Sequence, residues 1–182
     1  GAVSQWVALH DRFGKLPFEK LFGSAINHAR NGFSLGAQVA KGFKAARKIF
    51  AEYPEFLQAW FPKGFEPEEG AVFKNPVQAY TLEEIAATKG ESFYRGPIAK
   101  QIVEYAQSTG GWLCAEDLAT HQATWVEPIS TRYRSYDVHE IPPNGQGLVA
   151  LIALGILEHF PLEKWDPDSP DSIHAKIEAI KV

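Results

Sequence analysis

The 182-residue chain contains no methionine and only one cysteine, Cys114. A single thiol excludes an internal disulfide, and it fits a reducing compartment without requiring one. No uncharged run approaches the ~20 apolar residues of a membrane-spanning helix, so nothing in the sequence points to a membrane partner. Positive charge is not in excess: 18 Lys and Arg stand against 22 Asp and Glu, a formal net charge of -4. Such a chain has no field that would attract a nucleic-acid backbone or an acidic membrane surface. No internal repeat, low-complexity tract or signal peptide is visible, and the compartment (periplasmic, extracellular or cytoplasmic) stays open.

The composition, 45% hydrophobic and 22% charged, is that of a globular chain with a real core. The chain starts at Gly1 rather than at an initiator. At the other end Ile173, Ile177 and Ile180 repeat at helical spacing up to Val182, with no glycine or asparagine to satisfy the last carbonyls. Residues 1–182 therefore read as one domain, an interior piece of a longer protein.

The first half reads as helices cut by proline and glycine. Pro17 suits a first helical position, Phe18, Leu21, Phe22, Ala25 and Ala29 make one apolar face, and Gly32 ends it. Ser34 is placed to cap the next helix, with a stripe of Leu35, Val39, Phe43, Ala46 and Phe50. The aromatic, proline-rich stretch 54–76 reads as a packed loop with one short helix. Thr81 to Glu84 fits a capping box for a helix ending at Gly90. Pro97 starts another, with Ile98, Ile102 and Tyr105 inward and Gly110-Gly111 at its end, and 116–120 makes one more turn. The period then changes. Residues 129–133 and 136–140 are rich in β-branched and aromatic residues and predict two short strands turning at Arg134-Ser135. From Gly147 to Leu157 no residue is charged, which predicts a buried helix. Ser169-Pro170 starts the last helix. The expected class is α+β, helix-dominated, with one short strand pair.

No constellation here assembles a catalytic set. Gly145-Gln146-Gly147-Leu148-Val149-Ala150 matches G-x-G-x-x-A between a strand and a helix. A dinucleotide site is disfavoured, because Pro142-Pro143 interrupts the turn and no second apolar strand follows within the ~30-residue unit. The six histidines lack the spacing of a helical metal site, and Asp166, Asp168 and Asp171 lack the central glycine and closing glutamate of a calcium loop. No metal and no cofactor is expected. Cys114, between apolar neighbours, reads as a buried structural thiol. No residue is assigned a catalytic role. Asn144, Gly145 and Gln146, at a glycine-rich helix entrance, are the candidates for substrate binding.

Several tracts taken together resemble one family, the γ-glutamyltranspeptidases. Phe93-Tyr94-Arg95-Gly96-Pro97-Ile98-Ala99 is similar to their F-Y-x-G-x-I-A. Gly110-Gly111 followed by Glu116-Asp117-Leu118-Ala119 resembles G-G-x-x-x-x-E-D-L-A. The run from Pro128 to Val138 resembles P-I-S-x-x-Y-R-x-Y-x-V, and Leu154 to Phe160 resembles L-x-I-L-E-x-F. Glu178-Ala179-Ile180-Lys181 is similar to E-A-x-K, and Gly1-Ala2-Val3 to the end of P-G-x-V. Order and spacing agree along the chain.

The resemblance implies an αββα N-terminal-nucleophile hydrolase, made as a precursor that cleaves itself to expose a threonine. That threonine attacks a small amide or γ-glutamyl substrate with its own α-amino group as base, and the acyl group passes to water or an amine. This chain would be the latter part of the large subunit, with the nucleophile and most substrate contacts outside it. Its partner would be the remainder of the same precursor, the small subunit. One departure stands out. Many glutathione-cleaving members have P-P-P-S-S-G-G where this chain has Pro142-Pro143-Asn144-Gly145-Gln146-Gly147, and Gln5 replaces a common glycine. These changes point to a branch acting on other amides. The alternative expectation is a non-catalytic helical binding module built around Trp60, Phe61 and Phe65.

Overall fold

The structure, a computed structural model, describes residues 1–181; its internal contacts gather into two compact units, Gly1–Ala123 and Thr124–Val182. The architecture is helix-dominated, 59% helical and 8% strand.

The first unit opens with α1 (Ala2–Phe13), a 3-10 turn (Phe18–Phe22) and α2 (Gly23–Asn31). The apolar face expected from Pro17 onward thus divides into a tight turn and a helix, and Phe18 and Phe22 go to the core with Val3, Ile85, Tyr94 and Ile98. Gly32 ends α2 as expected, at φ 95°, where a Cβ would lie 2.5 Å from Val72 Cγ1. Only glycine combines that backbone with that approach. The approach exists because Phe33 and Ser34 form β1, paired antiparallel with β2 (Val72–Phe73). Ser34 is therefore a strand residue and not a helix cap. The next helix, α3 (Ala37–Ile49), begins after Gly36. Leu35, Ala40 and Phe73 form a second core cluster under Phe43 and Phe65, while Val39 of the expected stripe is exposed.

Helix α4 (Pro54–Trp60) is the short helix expected in the aromatic stretch. The helix after it starts earlier than its apparent capping box. In α5 (Pro76–Thr88) the cap is Asn75, whose side chain accepts from Gln78 N–H, and Pro76 fills the first position. Thr81 lies inside and donates its hydroxyl to the Val77 carbonyl. Helix α6 (Glu91–Arg95) and α7 (Pro97–Ser108) follow, then α8 (Ala115–Ala119). Ile98, Ala99 and Val103 are the buried face of α7, and Tyr105 points outward. Cys114 is half-buried at the start of α8, where it forms a capping box with Asp117.

The second unit holds the hairpin of β3 (Ile129–Tyr133) and β4 (Tyr136–Glu140), then α9 (Gly147–Leu157) and α10 (Pro170–Ile180). Both strands and both helix starts lie where the sequence predicts. Two burial patterns differ. In α9, Leu151, Ala153 and Leu157 are buried, but Leu148, Val149 and Ile152 are exposed, so the uncharged helix is covered on one side only. In α10 the isoleucines face out, and Ser172, Ala175 and Ala179 face in. The reason is steric. Ala175 and Ala179 pack with Ala153 and Leu157, and small side chains there let the two helix axes approach closely. Val182, placed at the end of this helix by its sequence spacing, lies outside the described residues.

Candidate functional site

The predicted substrate-binding residues sit on the turn from β4 into α9, and the hairpin fixes that turn. Ile129 pairs with Glu140 and Tyr133 with Tyr136, closing the hairpin at Arg134-Ser135 with Arg134 at φ 54°. The Arg134 guanidinium reaches the far end of α9. Its Nη1 donates to the Glu158 carbonyl at 3.2 Å and its Nη2 to the Phe160 carbonyl at 2.7 Å, while its backbone N–H donates to Glu158 Oε2 at 2.8 Å. A cation thus satisfies carbonyls that the helix end leaves open. Two of the tracts read from the sequence, the one around Tyr133-Arg134 and the one around Glu158-His159-Phe160, meet through this one side chain.

At the near end of α9, Glu140 closes over Gly147. A Cβ on Gly147 would stand 2.6 Å from Glu140 Oε2 and 2.8 Å from Glu140 Cβ, so the position requires glycine. The same contact sets a carboxylate beside the first turn of α9, where the helix dipole favours negative charge. Between these anchors Asn144, Gly145 and Gln146 are all exposed. Gln146 precedes the helix at φ -90°, ψ 8°, its carbonyl accepts from Val149 N–H at 3.0 Å, and its side chain makes no capping bond. A Cβ on Gly145 would meet nothing closer than Ile141 Cδ1 at 3.8 Å, so its lack of a side chain is not sterically demanded. The structure therefore brings the three residues together on one exposed turn, with two primary amides turned to solvent. Neither the cavity beside Ser4 and His121 nor the apolar one between Phe43 and Trp60 is lined by them.

A polar cluster in the first unit was not foreseen. Ser4 Oγ lies 2.9 Å from His121 Nε2, Ser4 N–H donates to the Tyr94 hydroxyl at 3.0 Å, and the His121 ring stacks on Tyr94 with centroids 5.0 Å apart. These groups wall a cavity of about 260 Å³ that also meets Asp11, Lys89, Glu91 and Arg95. The Lys89 hydrogen bond holds the Asp11 carboxyl below its ordinary range. The pairing of serine and histidine resembles a nucleophile and its base, but no carboxylate is bonded to the other imidazole nitrogen among the described residues. Ser4 Oγ also donates to the Gly1 carbonyl at 2.8 Å, and which group gives the proton between Ser4 and His121 follows the imidazole tautomer. The cluster pins the start of α1 to α6 and to the segment after α8. Ser4 and His121 are 117 positions apart, and neither carries a local motif.

The other sequence candidates stay apart. His28 is exposed on α2 and His159, expected in a helix, is exposed in the turn after α9, and Asp166 accepts from Asp168 N–H at 2.9 Å in a local turn. Among the described residues no group of three or more His, Cys, Asp or Glu is placed to hold a metal ion, and no helix is long and apolar enough to cross a membrane.

A family model described as gamma-glutamyltranspeptidase matches residues 1–182. The chain is 30% identical over 181 residues to a glutathione hydrolase-like proenzyme, YwrD, of Bacillus subtilis (strain 168), covering 100% of this chain and 34% of that protein. It is 33% identical over 183 residues to the glutathione hydrolase proenzyme of Escherichia coli (strain K12), covering 100% of this chain and 32% of that protein. Among solved structures, the cephalosporin acylase from Bacillus halodurans superposes with a TM-score of 0.90 at 42% identity, covering 100% of this chain and 34% of that one. The chain thus spans about a third of the length of the relatives it matches.

Proposed function

Because the chain belongs to the γ-glutamyltranspeptidase family, we propose that it is large-subunit polypeptide of a self-processing precursor whose complete form hydrolyses a small amide or transfers its acyl group. The observation that carries the reading is the match along the whole chain in sequence and in fold together. In this reading the nucleophile is a threonine outside these residues, exposed by cleavage, with its α-amino group as base. The residues described here act as scaffold. That role agrees with the Ser4 and His121 pair, which has no carboxylate on the other imidazole nitrogen among the described residues to complete a relay.

Asn144, Gly145 and Gln146 wall the substrate cleft in this proposal. What supports it is their place on a rigidly anchored turn with amide groups free to bond a ligand. The substrate is an amide other than glutathione. The replaced serine-rich tract supports that choice, as does the likeness to an acylase at 42% identity. The partner is the small subunit cut from the same precursor.

Mass spectrometry of the precursor expressed from its full gene tests the reading. The expected product is two chains, the smaller beginning with threonine or serine. An uncut, inactive protein would refute it. A non-catalytic binding module is favoured by one observation, an apolar cavity of about 160 Å³ lined by Phe43, Phe56, Trp60 and Phe61. Tight calorimetric binding of an apolar ligand by an uncut precursor would select that alternative.

A further inference from the structure

Two asparagines of the chain precede a glycine, Asn31 and Asn144. An asparagine so placed can react with its own backbone. The nitrogen of the following residue attacks the side-chain carbonyl carbon, and a glycine there has no side chain to hinder the approach. The reaction needs an unengaged backbone N–H and an unengaged side-chain amide, so local structure decides which pair reacts. Both asparagines are exposed, and access to water does not distinguish them.

Their hydrogen bonds do. Asn31 is the last residue of α2, and its Nδ2 donates to Asn27 Oδ1 at 2.7 Å. The Gly32 N–H donates to the His28 carbonyl at 2.9 Å, and Gly32 is held at φ 95° against Val72. Both reacting groups of that pair are engaged. At the second pair neither the Asn144 side chain nor the Gly145 N–H has a hydrogen-bond partner among the described residues. Gly145 has open space around it, with Ile141 Cδ1 the nearest atom to an added Cβ at 3.8 Å.

We propose that Asn144 is a site of spontaneous modification, at which the chain converts its own amide into a carboxylate. The Gly145 nitrogen gives its proton to solvent base and bonds to Asn144 Cγ. The Cγ–Nδ2 bond breaks, and Nδ2 leaves as ammonia. The five-membered succinimide that remains takes up one water. Opening at Cγ gives aspartate, and opening at the main-chain carbonyl gives isoaspartate, whose backbone runs through Cβ and Cγ. One water enters, one ammonia leaves, and nothing is oxidised or reduced. Either product puts a negative charge just ahead of α9, where the Glu140 carboxylate already stands and the helix dipole favours it, so the fold tolerates the change. The exposed turn is what changes. A neutral amide that both donates and accepts becomes an anion that only accepts, and isoaspartate also lengthens the turn by a methylene. On the proposed reading that residues 144–146 wall the substrate cleft, the cleft alters as the molecule ages.

Peptide mapping by mass spectrometry tests this on the full-length precursor, incubated for days at body temperature and mildly alkaline pH. A methyltransferase specific for isoaspartate labels that product. Asn144 is expected to convert to both products at least about 10-fold faster than Asn31, whose reaction first requires opening of the end of α2. Gly145→Ala fits the space at that position and is expected to slow the conversion at least about 10-fold, because its methyl hinders the attacking nitrogen. An Asn144 that stays intact would overturn the proposal, as would rates at the two asparagines within about threefold of each other, or an unchanged rate in Gly145→Ala. Asn144→Asp supplies one product from the start and separates the two readings. A lower kcat/KM at an unchanged Tm supports the cleft. Wild-type kcat/KM refutes Asn144 as part of the cleft wall and leaves the modification, which is read by mass alone, in place.

Discussion

Arg134 does more for the second unit than its place on a surface turn suggests, and three substitutions separate its contributions. Arg134→Ala removes two charge-assisted hydrogen bonds to the Glu158 and Phe160 carbonyls and the ion pairs with Glu158 and Glu163. A buried hydrogen bond to a charged group is worth about 1.5–3 kcal/mol, and partial exposure reduces each of these to about 1 kcal/mol. The expected loss is therefore about 2 kcal/mol, with the exposed ion pairs adding little. The backbone gives a second handle. Arg134 holds φ at 54°, a conformation that costs a non-glycine residue about 1 kcal/mol. Arg134→Gly loses the same bonds but relieves that strain, so it is expected to cost only about 1 kcal/mol. Arg134→Lys keeps the charge but cannot reach both carbonyls with one planar fork, and falls between wild type and alanine. Urea unfolding followed by far-UV circular dichroism reads all three. With a slope of about 2 kcal/mol/M, the alanine variant moves the midpoint down by about 1 M and the glycine variant by about half of that. If the alanine variant unfolds at the wild-type midpoint, the guanidinium is not the cap of α9. If glycine is worse than alanine, the strain argument is wrong.

Gly147→Ala drives a methyl into the Glu140 side chain and is expected to cost about 1–3 kcal/mol, most of it recovered in the double variant with Glu140→Ala; additive costs in the same urea assay would mean the two sites are uncoupled. The Cys114 backbone N–H, followed by its thiol, holds the Asp117 carboxyl below its ordinary range. Because the folded value is depressed, the capping contribution is fully present above the unfolded carboxylate pKa of about 3.9 and is lost as pH falls through the folded value. Amide exchange in α8 is thus expected to accelerate in acid, and a carboxyl NMR titration of Asp117 at the ordinary value would contradict this. Ser4→Ala in the full precursor is expected to leave turnover unchanged while loosening the start of α1; loss of turnover without loss of stability would make Ser4 a functional group after all.

The parts of the fold legible in the sequence were those whose signals are local. Pro97 with Gly110-Gly111, Ser169-Pro170, and the charge-free run from Gly147 to Leu157 each marked a helix that the structure has at that place. The hairpin was legible because its partners are adjacent. Where two local signals compete, proximity to a proline decided. Thr81 to Glu84 looks like a cap, yet Asn75-Pro76 starts the helix more than a turn earlier and leaves Thr81 no free N–H to cap. The role of Ser34 is not local, because it pairs with Val72, far along the chain. The candidate site divides in the same way. The turn at 144–146 is marked by its glycines, but the contact that holds it, Glu140 on Gly147, and the one that closes the other end of α9, Arg134 on Glu158 and Phe160, join residues that no spacing rule connects.

Helix α10 shows a deeper limit, and it concerns energy rather than distance. Its sequence carries two stripes at helical spacing, Ile173-Ile177-Ile180 and Ser172-Ala175-Ala179. Ranking by hydrophobicity selects the isoleucines as the core face, since each offers far more apolar area. The structure selects the alanines, because the nearest neighbour is another helix whose contact residues include Ala153, and two helices meeting through small side chains approach more closely than two meeting through isoleucine. Hydrophobicity states how strongly a face needs covering, whereas side-chain volume states how closely its neighbour lies. For α10, volume rather than apolar area therefore decides which of the two stripes meets α9.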